Sequence, residues 1–272
     1  MIIPINPTGE NHMSTQKHLA LVTGATSGIG QAFARRLANK GYNVIAVGRR
    51  QERLDALAAE FPAGQIRGVV ADLSCAEGVN RIRELCHDEP LALLINNAGV
   101  SHYMGFTALP LEKAQELLQV KVVAPTLLAH AAAPGMVERE EGTIINVAGM
   151  LGFGATAPLG QAAGRATYVA SLSHLISLSL ALHEELTPAG LKVQVLCPGV
   201  VATEFHERQG MDLSAIPRMT AEDVVTASLR SVELGEMLCA PGVEDKSLID
   251  QALQQNLLAF GGQSPALASR YL

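Results

Sequence analysis

The stretch Leu19-Ala20-Leu21-Val22-Thr23-Gly24-Ala25-Thr26-Ser27-Gly28-Ile29-Gly30 decides the fold. It opens with an apolar run of strand length, passes through three glycines in seven residues, and leads into a segment, 29–40, expected to be helical. Glycines permit a tight turn and close backbone approach, while the N-terminus of the following helix presents free N–H groups and the positive end of its dipole to an anion. A strand, a glycine-rich turn and a helix in that order form a cradle for a diphosphate, with Gly24, Ser27, Gly28, Ile29 and Gly30 as its candidate contacts.

Outward from this unit the same rhythm repeats. Apolar runs occur at 43–48, 66–72, 91–99, 142–149, 191–199 and 236–242, and helices are expected at 51–60, 76–86, 111–137, 165–186 and 221–234. Runs without strict alternation are those of strands buried on both faces, and intervening helices impose parallel pairing through right-handed crossovers. The pattern predicts an α/β, Rossmann-type doubly wound parallel sheet of about seven strands. No repeat or linker interrupts 18–272, so one domain is expected, with chemistry in the loops beyond the carboxyl ends of the strands.

Composition narrows the function classes. With 17% charged and 48% hydrophobic residues among 272, the chain can bury a large core. A net charge of -6 without a basic stripe argues against nucleic acid as a partner. Cys75, Cys86, Cys197 and Cys239 are scattered, which suggests neither a disulfide framework nor a metal site and fits a cytoplasmic location. Residues 1–17 read as a flexible arm without the pattern of a secretory signal, and no segment reads as a membrane span.

The second strand ends in Arg49-Arg50, where a carboxylate would select NAD. Guanidinium groups pair with a 2′-phosphate, so the cofactor expected is NADP(H); solvation of the next helix is the alternative role for these arginines. Thr23-Gly24-x-x-x-Gly28-x-Gly30, Asp72, Asn96-Asn97-Ala98-Gly99, Tyr168, and Pro198-Gly199 with Thr203 occur in that order. In these places, spanning about 17–242, the chain resembles the short-chain dehydrogenase/reductase family. The resemblance implies that Asp72 lies near the adenine amine, that Asn97, Ala98 and Gly99 line a ribose, and that Val201 and Thr203, after Pro198 and Gly199, meet the nicotinamide carboxamide. Asp-Leu-Ser before a helix also suits a helix cap at Asp72.

In the family a tyrosine supplies the proton for carbonyl reduction, aided by a lysine four residues on, a serine and an asparagine. Tyr168 is present, but Leu172, Gly149 and Lys121 stand where the lysine, serine and asparagine are expected. The cofactor loops are whole and the catalytic set is degenerate. Tyr168 and Lys121 are the catalytic candidates, on the hypothesis that the Lys121 amine reaches Tyr168; pairing with a carboxylate or extension to solvent is its alternative. Ser101, His102 and Tyr103 follow Asn-Asn-Ala-Gly and are expected on the substrate side, and another registration would bring in Ser171 or Ser173.

Gly152, Gly154, Pro158, Gly160 and Gly164 suggest a flexible stretch before Tyr168. By resemblance 200–217 is the substrate lid, with Phe205, Met211, Leu213 and Ile216 as an apolar lining. The sequence therefore predicts an NADP(H)-dependent oxidoreductase interconverting carbonyl and hydroxyl groups on a small apolar metabolite. The alternatives are a non-redox enzyme on the same fold (cyclase, isomerase or lyase) and a non-catalytic NADP(H)-binding sensor or subunit. The resemblance also implies a homodimer or homotetramer formed through the helices at 111–137 and 165–186, with the tail 261–272 covering a neighbour or fraying.

Overall fold

The structure is a computed structural model that describes residues 18–157, 164–208, 210–213 and 215–272. The arm at 1–17, with Pro158 and Gly160, lies outside the described residues. Seven parallel strands form one sheet: β1 (Leu19–Thr23), β2 (Asn43–Gly48), β3 (Ile66–Val70), β4 (Leu91–Asn96), β5 (Gly142–Val147), β6 (Leu191–Leu196) and β7 (Leu238–Cys239). Their order is β3-β2-β1-β4-β5-β6-β7, so the winding reverses between β1 and β4, the switch point at which such sheets bind ligands.

Alternation along the strands divides the core in two. Ala20 and Val22 of β1, Val44 and Ala46 of β2, and Ile145 and Val147 of β5 face one layer; Leu21, Ile45 and Ile144 face the other. The first layer is closed by α1 (Gly28–Asn39), α2 (Gln51–Ala59) and α8 (Ala221–Glu233), through Phe33, Leu37, Leu54 and Val224. The second is closed by α3 (Ala76–Asp88) and α5 (Ala124–Glu138), through Ile82, Leu128 and Met136. A third cluster joins α4 (Leu111–Leu118) and α6 (Ala166–Leu186) to β6 and β7 through Leu117, Leu175, Val195 and Leu238.

Four expectations are corrected. The helix expected at 111–137 is broken: a π-helical turn, Gln119–Val123, separates α4 from α5 and carries Lys121. The same run, Leu111–Glu138, is long and apolar enough by length and composition to cross a membrane, contrary to the sequence reading. Its apolar side chains Leu117, Val120, Leu128 and Met136 are buried against the core here. A helix absent from the sequence reading, α9 (Ser247–Gly261), follows β7, with Ile249 buried and Leu248, Leu257, Leu258 and Phe260 exposed. Finally, of the glycines before Tyr168, Gly152 and Gly164 serve close packing. A Cβ on Gly164 would lie 2.1 Å from the Met104 carbonyl carbon, and one on Gly152 2.5 Å from Ile176 Cδ1.

Candidate active site

A cavity of about 1010 Å³ opens where the sheet reverses, over the carboxyl ends of β1, β4, β5 and β6. Every residue expected at the cofactor site lines it except Gly30, which sits under the turn. Gly24 and Gly28 have φ of +69° and +56°, the left-handed region that side chains disfavour. A Cβ on Gly24 would also lie 2.7 Å from Asn97 Nδ2 and 2.9 Å from Ala98 Cα. The turn is locked to the loop after β4: Asn97 N and Ala98 N donate to Thr23 Oγ1 at 2.9 and 3.0 Å, and Asn97 Nδ2 donates to Thr23 O at 2.9 Å. The α1 N-terminus therefore faces the cavity in fixed position.

The arginines differ from one another. Arg50 Nη2 donates to Thr26 O at 3.1 Å and to Thr26 Oγ1 at 3.0 Å, and its Nη1 pairs with Glu204 at 3.3 Å. Arg49 is half-exposed and lies 3.9 Å from Glu116, so it is the freer guanidinium. Glu204, on the short helix α7 (Glu204–Glu207), also pairs with Arg53 and Arg208. Arg53, against burial and with Arg208 and Arg50, holds the Glu204 carboxyl down at about 2. Arg208 Nη2 further donates to Ser27 Oγ at 3.4 Å, so the C-terminal end of α7 is clasped to the glycine-rich turn. Asp72 Oδ1 accepts from Ser74 N at 2.9 Å, while Cys75 occupies the N-cap of α3. Burial opposes ionisation of Asp72, but Ser74 and the Arg49 charge bring its carboxyl below the ordinary value.

The other end is apolar and aromatic. Tyr168 lies 5.6 Å from Tyr103 and 6.2 Å from Phe205 between ring centroids, and Tyr103 lies 6.3 Å from His206. Met150, Leu151, Met211, Leu213 and Ile216 complete the wall. Burial, reinforced by Tyr103, pushes the Tyr168 hydroxyl well above the ordinary tyrosine value. Leu172 is fully buried, and its Cδ1 lies 3.5 Å from where a Gly149 Cβ would stand. The two buried positions at which the resemblance leads one to expect serine and lysine thus lie side by side and carry no polar side-chain atom.

Lys121 goes elsewhere. Its Nζ donates to Val147 O at 3.0 Å and approaches Gly99, and the side chain is buried. Among the described residues no hydrogen bond joins it to Tyr168, and it neither pairs with a carboxylate nor reaches solvent. Burial lowers its ammonium to about 8. Of the loop candidates, Ser101 is fully buried and His102 is held by Glu116 at 3.0 Å; only Tyr103 lines the cavity. Ser171 donates to Tyr168 O at 2.6 Å and Ser173 to Gly152 O at 2.9 Å, so both hydroxyls serve the backbone. The sequence reading missed Arg53 on α2, and Glu204, His206 and Arg208 at α7; for the last three the only signal was the cluster of charge at 204–208. Among the described residues no group of three His, Cys, Asp or Glu could hold a metal ion.

Comparison with known proteins agrees with this architecture. The model of the short chain dehydrogenase family matches residues 18–213. A short-chain dehydrogenase from Sphingobium yanoikuyae, solved in complex with NADPH, superposes with a TM-score of 0.87 at 30% identity, covering 94% of this chain and all of that one. The very-long-chain 3-oxoacyl-CoA reductase of Pyrenophora tritici-repentis is 34% identical over 197 residues, 69% of this chain and 56% of its own. The inactive hydroxysteroid dehydrogenase-like protein 1 of Pongo abelii is 35% identical over 192 residues, 68% of this chain and 56% of its own. The chain thus spans a little over half the length of these curated relatives.

Proposed function

The chain belongs to the short-chain dehydrogenase/reductase family, and from that premise we propose that it is an NADP(H)-dependent oxidoreductase interconverting a ketone and an alcohol on an apolar substrate. The observation that carries this is the continuity of one cavity from an anion-binding turn to an aromatic wall. The residues fit a dinucleotide: a side chain at Gly24 would fill the cradle, the α1 N-terminus faces the diphosphate position, and Arg49 is available to a 2′-phosphate. Asp72, Asn97, Ala98 and Gly99 would hold the adenosine and ribose parts, and Pro198, Gly199, Val201 and Thr203 the nicotinamide part.

When bound, the nicotinamide supplies or accepts hydride at the substrate carbon. The chain's own residues bind, orient and exclude water. Met150, Leu151 and Phe205 exclude water from the carbonyl, and the clasp at Glu204 holds the lid over the turn. Tyr168, with no ammonium beside it, donates a hydrogen bond to the substrate oxygen and polarises it. Lys121 orients the Val147 carbonyl and the Gly99 backbone, which face the cofactor. Assembly as a homodimer or homotetramer belongs to the same proposal, supported by the exposed Leu111, Leu118 and Leu127 on α4 and α5.

One observation favours a second reading, a non-catalytic NADP(H)-binding protein: the buried Gly149–Leu172 contact leaves Tyr168 without a cation. The test is NADPH and NADH binding by fluorescence, with alcohol formation measured by mass spectrometry on a panel of apolar ketones. NADPH binding tighter than NADH, weakened about tenfold by Arg49→Ala, with alcohol formed, is the expected result. Tight binding with no alcohol would establish the second reading. Absence of binding would end both.

A further inference from the structure

The substrate end holds a second tyrosine, and the two differ in surroundings. Tyr168 is buried beneath Tyr103 and Phe205. Tyr103 is half-buried, lines the cavity beside Tyr168 and faces His206 of the lid helix. Arg165 lies close by at the start of α6. Its predecessor Gly164 packs directly on Met104 and Gly105, the residues that follow Tyr103. Arg165 is itself more than nine-tenths buried; its Nη2 donates to Ala157 O at 2.7 Å, while its Nε has no partner among the described residues. No carboxylate among the described residues forms a salt bridge with it.

A buried guanidinium without a carboxylate is costly unless a negative charge forms beside it. We propose that Tyr103 is the proton donor for reduction of the substrate carbonyl and that Arg165 is the positioning residue stabilising the phenolate this leaves. The proposal rests on the reading of the chain as a ketone reductase. A reduced nicotinamide held by the cofactor loops would supply hydride to the carbonyl carbon, so that the carbonyl π pair goes to the substrate oxygen. That oxygen takes the phenolic proton of Tyr103, and the Tyr103 phenolate regains a proton from solvent, which its half-exposed position allows. Ketone, reduced nicotinamide and one proton thus give alcohol and oxidised nicotinamide.

The electrostatics agree. Burial raises the Tyr103 hydroxyl above its ordinary value, but the Arg165 charge opposes that rise; for Tyr168 no cation does. The titratable groups facing Tyr103 are Arg165, Tyr168 and His206. Burial and Arg218 lower the ionisation of His206, so it adds little positive charge near neutral pH. This arrangement reassigns the acid to the loop after β4, three-dimensionally adjacent to Tyr168 and supported by a cation that the Tyr168 helix no longer supplies at Leu172.

The test pairs a rate with a titration. Single-turnover oxidation of bound NADPH by an aryl ketone is compared in wild type, Tyr103→Phe, Tyr168→Phe, Arg165→Met and Arg165→Lys, with thermal unfolding as the control for folding. Tyr103→Phe is expected to slow the step by about 100-fold or more, Arg165→Met likewise, and Arg165→Lys to restore most of the rate. In cofactor-free protein carrying ring-labelled tyrosine, NMR titration is expected to show Tyr103 ionising below Tyr168. Arg165→Met should raise the Tyr103 value and Arg165→Lys should not. A Tyr103→Phe rate within threefold of wild type, or a Tyr103 titration indifferent to Arg165→Met, overturns the assignment while leaving the reductase intact. A wild type that oxidises no NADPH with any ketone overturns both.

Discussion

The two ends of the cavity are built on opposite principles. At the end proposed to take the cofactor, polar groups are locked to one another: Thr23, Asn97 and Ala98 fix the turn, and Arg50 joins it to Glu204 of α7. At the substrate end, rings and aliphatic side chains meet without a hydrogen-bonded catalytic set, and the positions expected to hold serine and lysine form an apolar contact. Preorganised donors bind a known anion of fixed shape, whereas an apolar wall accepts many shapes and leaves the chemistry to few groups.

The largest effect that would break this contrast lies at the turn. Gly24→Val forces a side chain into a left-handed position already occupied by Asn97 and Ala98. NADPH affinity, read by calorimetry, is expected to fall by more than about 100-fold, or about 3 kcal/mol. An affinity within fivefold of wild type would mean the turn is not the diphosphate site. Next comes the apolar contact. Leu172→Lys places an unpaired ammonium in a fully buried position and should lower stability to denaturant by about 3 kcal/mol, with part recovered by adding Gly149→Ser. A neutral outcome would show that this end is wetter than its packing implies.

Lys121 sharpens the comparison because it is a charge at the boundary of the two ends. Its value of about 8 lies below the ordinary 10.5, so folding disfavours its protonated form. Below pH 8 the ammonium is charged in both the folded and unfolded chains, and the full penalty is present. As pH rises from 8 toward 10.5 the folded chain releases the proton first, and the penalty disappears. Lys121→Met should therefore raise stability at pH 7 by about 2 kcal/mol after loss of the bond to Val147, with the gain shrinking above pH 8. A destabilised variant at pH 7 would show that the bond outweighs burial.

The smallest effect concerns the clasp, which is partly exposed and so weakly coupled to stability. Glu204→Gln is expected to raise the NADPH dissociation rate about fivefold in stopped-flow chase experiments. The Glu204 value is depressed to about 2, so the clasp is intact above the ordinary carboxylate value and is lost as pH falls toward 2. The wild-type off-rate should climb over that acid range, while that of the variant stays flat. An off-rate in the variant equal to wild type would remove the clasp from cofactor retention.

What was legible in the sequence follows the same division. Gly24 and Gly28 announce the turn because positive φ restricts residue type, and Arg49-Arg50 stand at a fixed place after β2. Strands β1, β2, β4 and β5 were readable because both their faces are largely buried, whereas β3, with Arg67 and Gly68 exposed, was readable from its place in the rhythm. Helix α9 was not, since Leu248, Leu257, Leu258 and Phe260 are exposed and form no core-facing stripe. The break at Gln119–Val123 was hidden because one extra residue per turn leaves the apolar pattern on either side unchanged. Tyr103 in the loop after β4, Arg165 at the start of α6 and His206 on α7 are distant in sequence, and their proximity has no periodic signature.

The most direct measurement of the central claim is stopped-flow absorbance of NADPH bound to the protein at one equivalent, mixed with an apolar aryl ketone in excess. A single-exponential loss of reduced nicotinamide absorbance, with alcohol formed in equal amount, is expected. NADPH that stays bound and reduced across the ketone panel would contradict it.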